Sequence, residues 1–235
     1  MRRLTAAGVA VTILDRDIDK GEALAKELGD ATRFAYTDVA DPGQVEAAVE
    51  LAAAQGPFRI AVNCAGVGWV SRVVARDGTP HDFEAFNFVI RVNLIGTFNV
   101  LRLAAAAMSR TDPVDDDGQR GVVVNTASIA AFDGQVGQIA YTASKGGVAA
   151  LTLPAARDLA AVGVRVVTIA PGTFDTPMLG QLPDEQRQAL AKDIPFPRRL
   201  GRPEEFASLV LHICENDALN GEVIRLDGAL RMPPK

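Results

Sequence analysis

A tyrosine, a lysine and a serine near the middle of the sequence have the types and spacing needed for proton transfer. Tyr141 and Lys145 are four residues apart at the head of a helical pattern, so their side chains share one face. A phenol of ordinary pKa, about 10, is a poor proton shuttle at neutral pH, but a nearby ammonium lowers that pKa. Ser128 follows a β-branched run and could hydrogen-bond a substrate oxygen. The Tyr-x-x-x-Lys pattern alone is common, so its combination with Ser128 is what predicts an acid–base site.

Short apolar segments alternate with helical patterns along the whole chain and would position these residues. The strand-like segments are rich in β-branched residues and cover 9–14, 32–37, 58–63, 121–128, 164–170 and 221–227. The helical patterns cover 18–28, 42–55, 81–108, 138–161 and 203–214. Strands separated by helices of this length indicate βαβ units. The predicted fold class is therefore α/β, a doubly wound parallel sheet of the Rossmann type in one domain, residues 1–235.

Composition and charge favour a single soluble domain. The chain has 235 residues, of which 48% are hydrophobic, enough for one large core. Its net charge of −5 and the lack of a long Lys or Arg run argue against a nucleic-acid partner. No apolar run approaches about 20 residues, which predicts no membrane partner. Cys64 and Cys214 fit neither a disulfide framework nor a metal site, so we expect two reduced thiols, no metal and a cytoplasmic protein.

Ligands of doubly wound sheets bind beyond the carboxyl ends of the strands, where polar or small residues recur in this chain. Asp15 ends the first strand segment, and its carboxylate could bind an adenosine ribose or could cap the next helix. Asp38, after the second, could contact adenine or begin a turn. The small residues of 63–66, NCAG, would let a flat ligand approach the backbone, although a tight turn explains the glycine equally well.

Taken together, these motifs resemble the short-chain dehydrogenases/reductases. NCAG, VNLIGTFNV, NTAS, YTASK, IAPGTFDTPM and GEVIRLDGA match that family's landmarks in order over nearly the whole chain. The resemblance implies an enzyme that interconverts a secondary alcohol and a ketone with a nicotinamide cofactor. Segments 118–160 and 194–232 are most similar to the family's group that acts on 3-hydroxyacyl-CoA thioesters and 17β-hydroxysteroids. The expected substrate is therefore an acyl-CoA or a steroid-like alcohol.

The resemblance implies a role for each of four residues. Tyr141 would be the general acid/base that exchanges a proton with the substrate oxygen. Lys145 would lower the pKa of Tyr141 and hold the hydroxyls of the nicotinamide ribose. Ser128 would fix the reacting carbonyl or alcohol. Asn93 would support a water that links Lys145 to solvent, a role compatible with an amide that satisfies backbone groups in a disturbed helix.

The same resemblance predicts NAD as the cofactor, because an acidic residue in the place of Asp15 goes with NAD and disfavours NADP. The neighbouring Arg16 is a complication, since a guanidinium there could meet a 2′-phosphate. Segment 171–178 resembles the one that closes over the nicotinamide. Residues 174–200 resemble a mobile lid over the substrate, with an ordinary amphipathic helix as the alternative. The expected cofactor-binding residues are Asp15, Asp38, Val39, Asn63, Ala65, Gly66, Tyr141, Lys145, Pro171, Gly172, Thr173 and Thr176.

Two alanine-rich helical segments resemble the family's paired-helix dimer faces. They are VLRLAAAAM and GVAALTLPAARDLAA, in which small side chains would let two helices approach each other closely. We therefore expect a homotetramer with D2 symmetry, built from isologous contacts, in which two copies contribute the same surface to each interface. The alternative is that these alanines face only the sheet.

A glycine-rich turn that would cradle the cofactor pyrophosphate is missing from the 235 residues. Such a turn precedes the ribose-binding acid by about 20 residues, whereas Asp15 has only fourteen residues before it. We therefore expect these residues to bind NAD weakly and the sheet to be interrupted between segments 9–14 and 58–63. The alternative to an active dehydrogenase is a truncated, inactive chain or a non-catalytic binding or assembly subunit on the same scaffold.

Overall fold

Strands and helices alternate along the chain in the computed structural model, which describes residues 1–176 and 183–234. Every pairing between the named strands is parallel, as expected for βαβ connections. The predicted doubly wound α/β class is therefore confirmed. The strands are β1 (Val11–Asp15), β2 (Thr32–Tyr36), β3 (Ile60–Asn63), β4 (Gly121–Thr126), β5 (Val164–Pro171) and β6 (Val223–Leu226).

Helices connect these strands and pack on both faces of the sheet. They are α1 (Arg2–Ala6), α2 (Ile18–Leu28), α3 (Pro42–Ala53), α4 (Phe83–Ile90), α5 (Gly96–Met108), α6 (Ile139–Leu159), α7 (Asp184–Lys192) and α8 (Pro203–Glu215). A π-helical turn, Arg91–Ile95, joins α4 to α5. The carboxylates of Asp17, Asp41 and Asp82 accept hydrogen bonds from the first N–H groups of α2, α3 and α4, which fixes where these helices begin.

The core lies on both faces of the central strands. β4 and β5 are buried along almost their whole length, because helices cover both of their faces. On one face, Val123 and Val166 pack in a cluster with Met108 of α5. On the other face, Val124 packs in a cluster with Ile213 of α8. Successive residues of one strand thus point to opposite helical layers, and the sheet holds both layers in place.

The sheet has two parts. β1 pairs with β2, and β3, β4, β5 and β6 pair with one another in that order. Within residues 1–176 and 183–234, no strand pairs with β1 on the side away from β2 or with β3 on the side away from β4. The expected interruption between 9–14 and 58–63 is therefore confirmed. A side-chain contact spans the two parts, since the amide of Gln55, which follows α3, donates a hydrogen bond to the hydroxyl of Thr12 on β1.

Several element boundaries differ from the sequence prediction, and two of the differences have a clear local reason. The predicted strand 121–128 ends at Thr126, because Ser128 begins a tight 3-10 turn. The predicted helix 138–161 is α-helical only to Leu159, and its last residues form a second 3-10 turn before β5 begins. Tight turns of this kind are common at helix ends and carry little signal in the sequence.

α4, the π-helical turn and α5 together form one continuous helix, Phe83–Met108. Its apolar stretch is longer than we expected from the sequence. By length and composition alone it could cross a membrane, with a mean hydropathy of 1.4 over its most apolar window. Half of that window is buried inside the molecule, where Ala104 and Met108 pack against the sheet. A core helix of a soluble protein passes the same test, so the helix is weak support for a membrane span. The expected lack of a membrane partner stays a prediction.

A buried arginine ties β5 to the end of α8. Arg165 is 7% exposed, and its burial lowers the pKa of its guanidinium. Its Nη1 donates to the carbonyl oxygens of Ile213 and Leu219 at 2.9 Å each, and its Nε donates to Gln119 Oε1 at 2.6 Å. Asp217 forms an ion pair with it at 3.3 Å. The guanidinium therefore satisfies carbonyl groups at the end of a helix, where no helical N–H can reach them.

Replacing Arg165 with methionine should destabilise the fold by about 3 kcal/mol, because it keeps much of the volume but leaves buried carbonyls without a donor. Urea unfolding followed by circular dichroism measures the change in the free energy of unfolding. Arg33→Met on the exposed side of β2 is the control, expected within about 0.5 kcal/mol of the parent protein. Equal stability of the two variants would contradict the role given to Arg165.

Candidate active site

The carboxyl ends of β3, β4 and β5 meet at one edge of the sheet, and the predicted catalytic residues lie there. The parallel register sets Asn63 beside Asn125 and Asn125 beside Thr168, so the three strands end close together. α6 begins next to this edge, which places Tyr141 and Lys145 in its first two turns. Parallel pairing and one helix start are therefore sufficient to gather the acid–base residues.

Ser128 lies just beyond the end of β4 and faces Tyr141. Its backbone is extended, and its Oγ accepts a hydrogen bond from the N–H of Ala130 at 3.1 Å. Ser128 therefore caps the short 3-10 turn Ile129–Ala131 and is itself buried. The side chain of Ser128 lies near that of Tyr141, close enough to lower the pKa of the phenol. This contact sets an alcohol and a phenol side by side, as a pair that can hold one substrate oxygen.

Lys145 has its ammonium inside the protein. Only 5% of the residue is exposed, and its Nζ donates to the carbonyl oxygen of Thr126 at 2.8 Å. Burial lowers the pKa of Lys145 to about 8, and the nearby Cys64 opposes that shift. The Nζ lies 5.9 Å from the centre of the Tyr141 ring. Lys145 is therefore able to gain or release a proton close to neutral pH.

The pKa of Tyr141 is raised, which differs from the sequence prediction. Burial raises it because a phenolate is poorly solvated there, and the nearby Ser128 side chain partly opposes this shift. The expectation that Lys145 lowers the pKa of Tyr141 is therefore not met in this structure. The ammonium donates to the Thr126 carbonyl and lies 5.9 Å from the centre of the Tyr141 ring, and desolvation of the phenol is the largest cause of the raised pKa.

Asn93 occupies the π-helical turn and is fully buried. Its Oδ1 accepts from the N–H of Val67 at 2.8 Å, and its Nδ2 donates to Val67 O and Ser144 Oγ at 3.0 Å each. The side chain thus satisfies backbone groups beside a disturbed helix, as anticipated, and the relay through a water stays a prediction. A Cβ added at Gly66 would lie 3.2 Å from Asn93 Oδ1 and 3.5 Å from Lys145 Nζ. Gly66 therefore keeps the space beside both groups open.

The acidic residues expected at the adenosine lie at the ends of β1 and β2. Asp15 Oδ1 accepts a hydrogen bond from the N–H of Asp17 at 2.9 Å, but the residue that caps α2 is Asp17 and not Asp15. Asp38 Oδ1 likewise accepts from the N–H of Ala40 at 2.9 Å, and Asp38 Oδ2 lies 3.9 Å from Arg16 Nη1. Each local bond uses one carboxylate oxygen, so it is compatible with ligand binding through the other.

Two residues expected to contact the cofactor, Asn63 and Val39, have buried side chains. Asn63 Nδ2 donates to Asn125 Oδ1 at 2.9 Å, which links β3 to β4. Val39 packs so closely on α5 that a Cβ at Gly96 would lie 2.6 Å from its Cγ2. Contacts with a cofactor at these two positions would therefore involve the backbone. Ala65, in contrast, is exposed at the site.

The segment expected over the nicotinamide begins at the end of β5. The N–H of Gly172 donates to Leu226 O at 2.9 Å, and a Cβ at Gly172 would lie 2.9 Å from the Cα of Asp227. Close packing against the end of β6 therefore requires glycine at this position. The four expected contacts, all partly exposed and open to a ligand, are Pro171, Gly172, Thr173 and Thr176.

The predicted lid, residues 174–200, contains the helix α7. Its residues 177–182 lie outside the described part of the chain, and so does the prediction made for them. Near the other end of the lid, Ile194 packs with Ile129 and Leu230 in a buried cluster. That end is therefore fixed to the body of the protein, and movement of the lid stays a prediction.

Sequence reasoning missed two groups that hold the catalytic residues. The carbonyl of Thr126 receives the Lys145 ammonium, and Ser144 Oγ accepts from Asn93 while donating to Tyr141 O at 2.7 Å. A backbone carbonyl gives no signal in the residue type. Ser144 stands inside the YTASK motif directly before Lys145, and that position could have been singled out.

Comparisons with known proteins agree with this geometry. A family model described as short chain dehydrogenase matches residues 1–187. The chain belongs to the short-chain dehydrogenase family. The 3-hydroxyacyl-CoA dehydrogenase type-2 proteins of Bos taurus and Homo sapiens are 54% and 53% identical to it over 234 residues, 99% of this chain and 89% of each relative. A crystal structure of 3-hydroxyacyl-CoA dehydrogenase type-2 from Mycobacterium avium matches with a TM-score of 0.96 and 48% identity, covering 100% of this chain and 91% of that chain.

Membership of the short-chain dehydrogenase family confirms the resemblance read from the motifs. The chain is therefore an oxidoreductase, of a family whose members use NAD or NADP. The alternative of an inactive truncation or a non-catalytic subunit is not favoured, because the similar proteins are dehydrogenases that match nearly the whole chain.

Replacing Lys145 with methionine should remove catalysis, and the free energy of unfolding of the variant relative to its parent should be roughly 1–3 kcal/mol higher at pH 7 than at pH 10. The pKa of about 8 lies below the ordinary value of 10.5, so the folded protein binds this proton less tightly than the unfolded chain does. The cost of burying the ammonium is therefore fully present below about pH 8 and disappears as the pH rises towards 10.5.

Urea unfolding at pH 7 and pH 10 measures this effect. Loss of the hydrogen bond to Thr126 acts at both pH values, so the difference between them reports the cost of the buried ammonium. Lys192→Met, an exposed lysine of α7, should change stability little at either pH. A difference between Lys145→Met and its parent that is the same at pH 7 and pH 10 would refute the cost assigned to the buried ammonium.

Proposed function

We propose that the protein oxidises a 3-hydroxyacyl-CoA thioester to the 3-oxoacyl-CoA with NAD, and reduces it in the reverse direction. The observation that carries this proposal is the grouping of Ser128 and Tyr141 beside the buried Lys145, at the carboxyl ends of the strands. The similar proteins named above support the substrate class, because their names specify 3-hydroxyacyl-CoA. A 17β-hydroxysteroid is the competing class of secondary alcohol.

The described residues fit a nicotinamide cofactor at both of its ribose ends. Gly66 leaves open the space beside Lys145, whose ammonium would hold the nicotinamide ribose hydroxyls. Asp15 at the end of β1 would hold the adenosine ribose. When bound, NAD supplies the acceptor for the hydride of the alcohol carbon. The turn that would cradle the pyrophosphate is not among the described residues, so weak NAD binding by these residues stays a prediction.

Tyr141 takes the proton of the substrate hydroxyl during oxidation and returns it during reduction. Ser128 holds the same substrate oxygen, because its side chain lies near that of Tyr141. Lys145, with a pKa of about 8, passes the proton on towards Asn93 and solvent. Because burial raises the pKa of Tyr141, the phenolate needed to accept a proton is scarce at low pH, and oxidation should accelerate as the pH rises.

NAD, rather than NADP, is part of the proposal. Asp15 would meet the adenosine ribose where NADP carries its extra phosphate, and two negative groups repel each other there. Asp38 lies 3.9 Å from Arg16, so this carboxylate competes with a phosphate for a guanidinium that could favour NADP. Both acidic groups therefore support NAD.

A cytoplasmic location without nucleic-acid or membrane partners completes the proposal. Cys64 and Cys214 are free thiols, which suits a reducing compartment. The net charge of −5 gives no general attraction for nucleic acid or for an anionic membrane surface.

Assembly into a D2 homotetramer is also proposed. Large apolar residues are exposed along α4 and α5, since Phe88, Ile95 and Phe98 are 42%, 51% and 53% exposed. Exposed apolar groups of this kind favour contact with another copy of the chain. Ala104 and Ala105 of the expected dimer face are buried against the sheet, so the support comes from the larger residues instead.

Light scattering at micromolar concentration should give the tetramer mass, and a monomer mass would contradict the proposal.

Tyr141→Phe should lower kcat at least ~100-fold in the NAD-dependent oxidation of 3-hydroxybutyryl-CoA, because it removes the hydroxyl that exchanges the proton. The absorbance of NADH measures the rate, and replacing NAD with NADP should lower kcat/KM. Tyr36→Phe, an exposed tyrosine at the end of β2, is the matched control and should keep kcat within about twofold.

Each other outcome of this assay rejects a stated part of the proposal. Retained activity in Tyr141→Phe would exclude Tyr141 as the acid/base. Turnover of a 17β-hydroxysteroid without turnover of the thioester would replace the substrate class. A folded wild-type protein that turned over neither would favour the non-catalytic alternative.

A further inference from the structure

A charged cluster near the carboxyl end of the chain contacts residues 128–133, which are named the Ser128 turn and include the 3-10 turn Ile129–Ala131. Its centre is Arg225 on β6, and its other members are Asp133, Asp227 and Arg231. The side chains of Arg225, Asp133 and Asp227 are 22%, 19% and 7% exposed. These three side chains are therefore shielded from solvent, unlike screened surface ion pairs that contribute little, whereas Arg231 is 61% exposed.

Arg225 holds the far end of the Ser128 turn. Its Nη2 donates to Asp133 Oδ2 at 2.5 Å, and its Cζ lies 5.3 Å from the centre of the Phe132 ring. The N–H of Asp133 in turn donates at 2.9 Å to the carbonyl of Ile129, the residue directly after Ser128. A charge-assisted hydrogen bond and a cation–π contact therefore fix two consecutive residues of this turn.

The same guanidinium holds the chain segment against which the turn packs. Arg225 Nε donates to Asp227 Oδ2 at 2.7 Å, and Arg225 Nη2 donates to the Leu230 carbonyl at 3.0 Å. The side chain of Leu230 is buried in one cluster with Ile129. One arginine thus organises both the polar and the apolar contacts between the Ser128 turn and the carboxyl end of the chain.

We propose that Arg225 is a positioning residue that sets the direction of the Ser128 hydroxyl. Ser128 Oγ accepts from the N–H of Ala130 inside the turn, so its direction depends on where the turn lies. With the turn held, the hydroxyl can meet Tyr141 and the substrate oxygen together; with the turn released, the hydroxyl moves with it. The inference rests on the proposed function, in which Ser128 holds the substrate oxygen.

Arg225→Gln tests the inference by steady-state kinetics of the full-length protein with NAD and 3-hydroxybutyryl-CoA. We expect kcat to fall about 10- to 100-fold, because a small misplacement of a positioning group has effects of this size, with KM for NAD changed less than about threefold. In a Ser128→Ala background, the same change should cost less than about twofold, since changes that act through one group are not additive. An equal loss in both backgrounds would overturn the inference, because a general structural effect does not depend on Ser128.

Arg231→Gln is the matched control. Arg231 Nη1 donates to the same Asp227 carboxylate at 3.1 Å and to the Leu230 carbonyl. Neither contact reaches Asp133, so replacing Arg231 should leave kcat within about twofold of the parent value. Asp133→Asn weakens the anchor from the side of the turn and should reproduce the fall in kcat. It keeps the test decisive if Arg225→Gln does not fold, and an unchanged kcat in Asp133→Asn would overturn the inference.

Amide hydrogen exchange separates this inference from the proposed function. The N–H groups of Ala130 and Asp133 should exchange at least about tenfold faster in Arg225→Gln than in Arg231→Gln, whereas those of β1 should not change. Unchanged exchange at Asp133 would overturn the inference whatever the kinetics show. If the wild-type protein does not turn over the thioester but exchange responds as expected, the substrate assignment fails and the anchoring of the Ser128 turn by Arg225 is supported.

Discussion

The hydrogen bond from Lys145 Nζ to the Thr126 carbonyl is the interaction on which the catalytic edge depends. It joins α6 to the end of β4, and Tyr141 lies four residues before one anchor while Ser128 lies two residues after the other. One bond thereby brings a phenol and a hydroxyl into contact from two separate elements. The ammonium is buried to make this bond, which lowers its pKa to about 8. The molecule tolerates an unfavourable desolvation there and obtains a lysine that can change its charge near neutral pH.

Hydrogen bonds between buried polar side chains connect the elements that form this edge. Asn63 bonds to Asn125 across β3 and β4, and Thr168 Oγ1 of β5 lies 2.6 Å from Thr152 Oγ1 of α6. Because a buried polar group is costly without a partner, such pairs fix strand register and helix position more strictly than apolar contacts do. The catalytic edge can therefore keep its geometry although the sheet is divided into two parts.

Much of the fold and the site could be predicted because both depend on local patterns. Runs of β-branched residues identify β4 and β5, which must be buried on both faces. The spacing of Tyr141 and Lys145 determines their common helix face without knowledge of the rest of the structure. Properties that depend only on residue type and short spacing are therefore visible in the sequence.

The features that could not be predicted depend on partners chosen across the fold. The direction of the Tyr141 pKa shift is set by burial of the phenol, which outweighs the opposing effect of Ser128. Asn63 turns inward because Asn125 lies beside it on the neighbouring strand. The contact of Arg225 with Asp133 joins residues 92 positions apart, and no local pattern marks it. Tertiary packing decides all of these, and neither spacing nor composition reports it.

The divided sheet also determines how the molecule can come apart. In residues 1–176 and 183–234, no ladder of backbone hydrogen bonds joins β1 to β3, so the β1–β2 unit is attached to the body through other contacts such as that of Gln55 with Thr12. Cooperative unfolding units follow hydrogen-bonded and packed substructures. Within the described residues, the end of the site that carries Asp15 is therefore held to the edge that carries Tyr141 by helix packing and side-chain contacts and not by strand pairing.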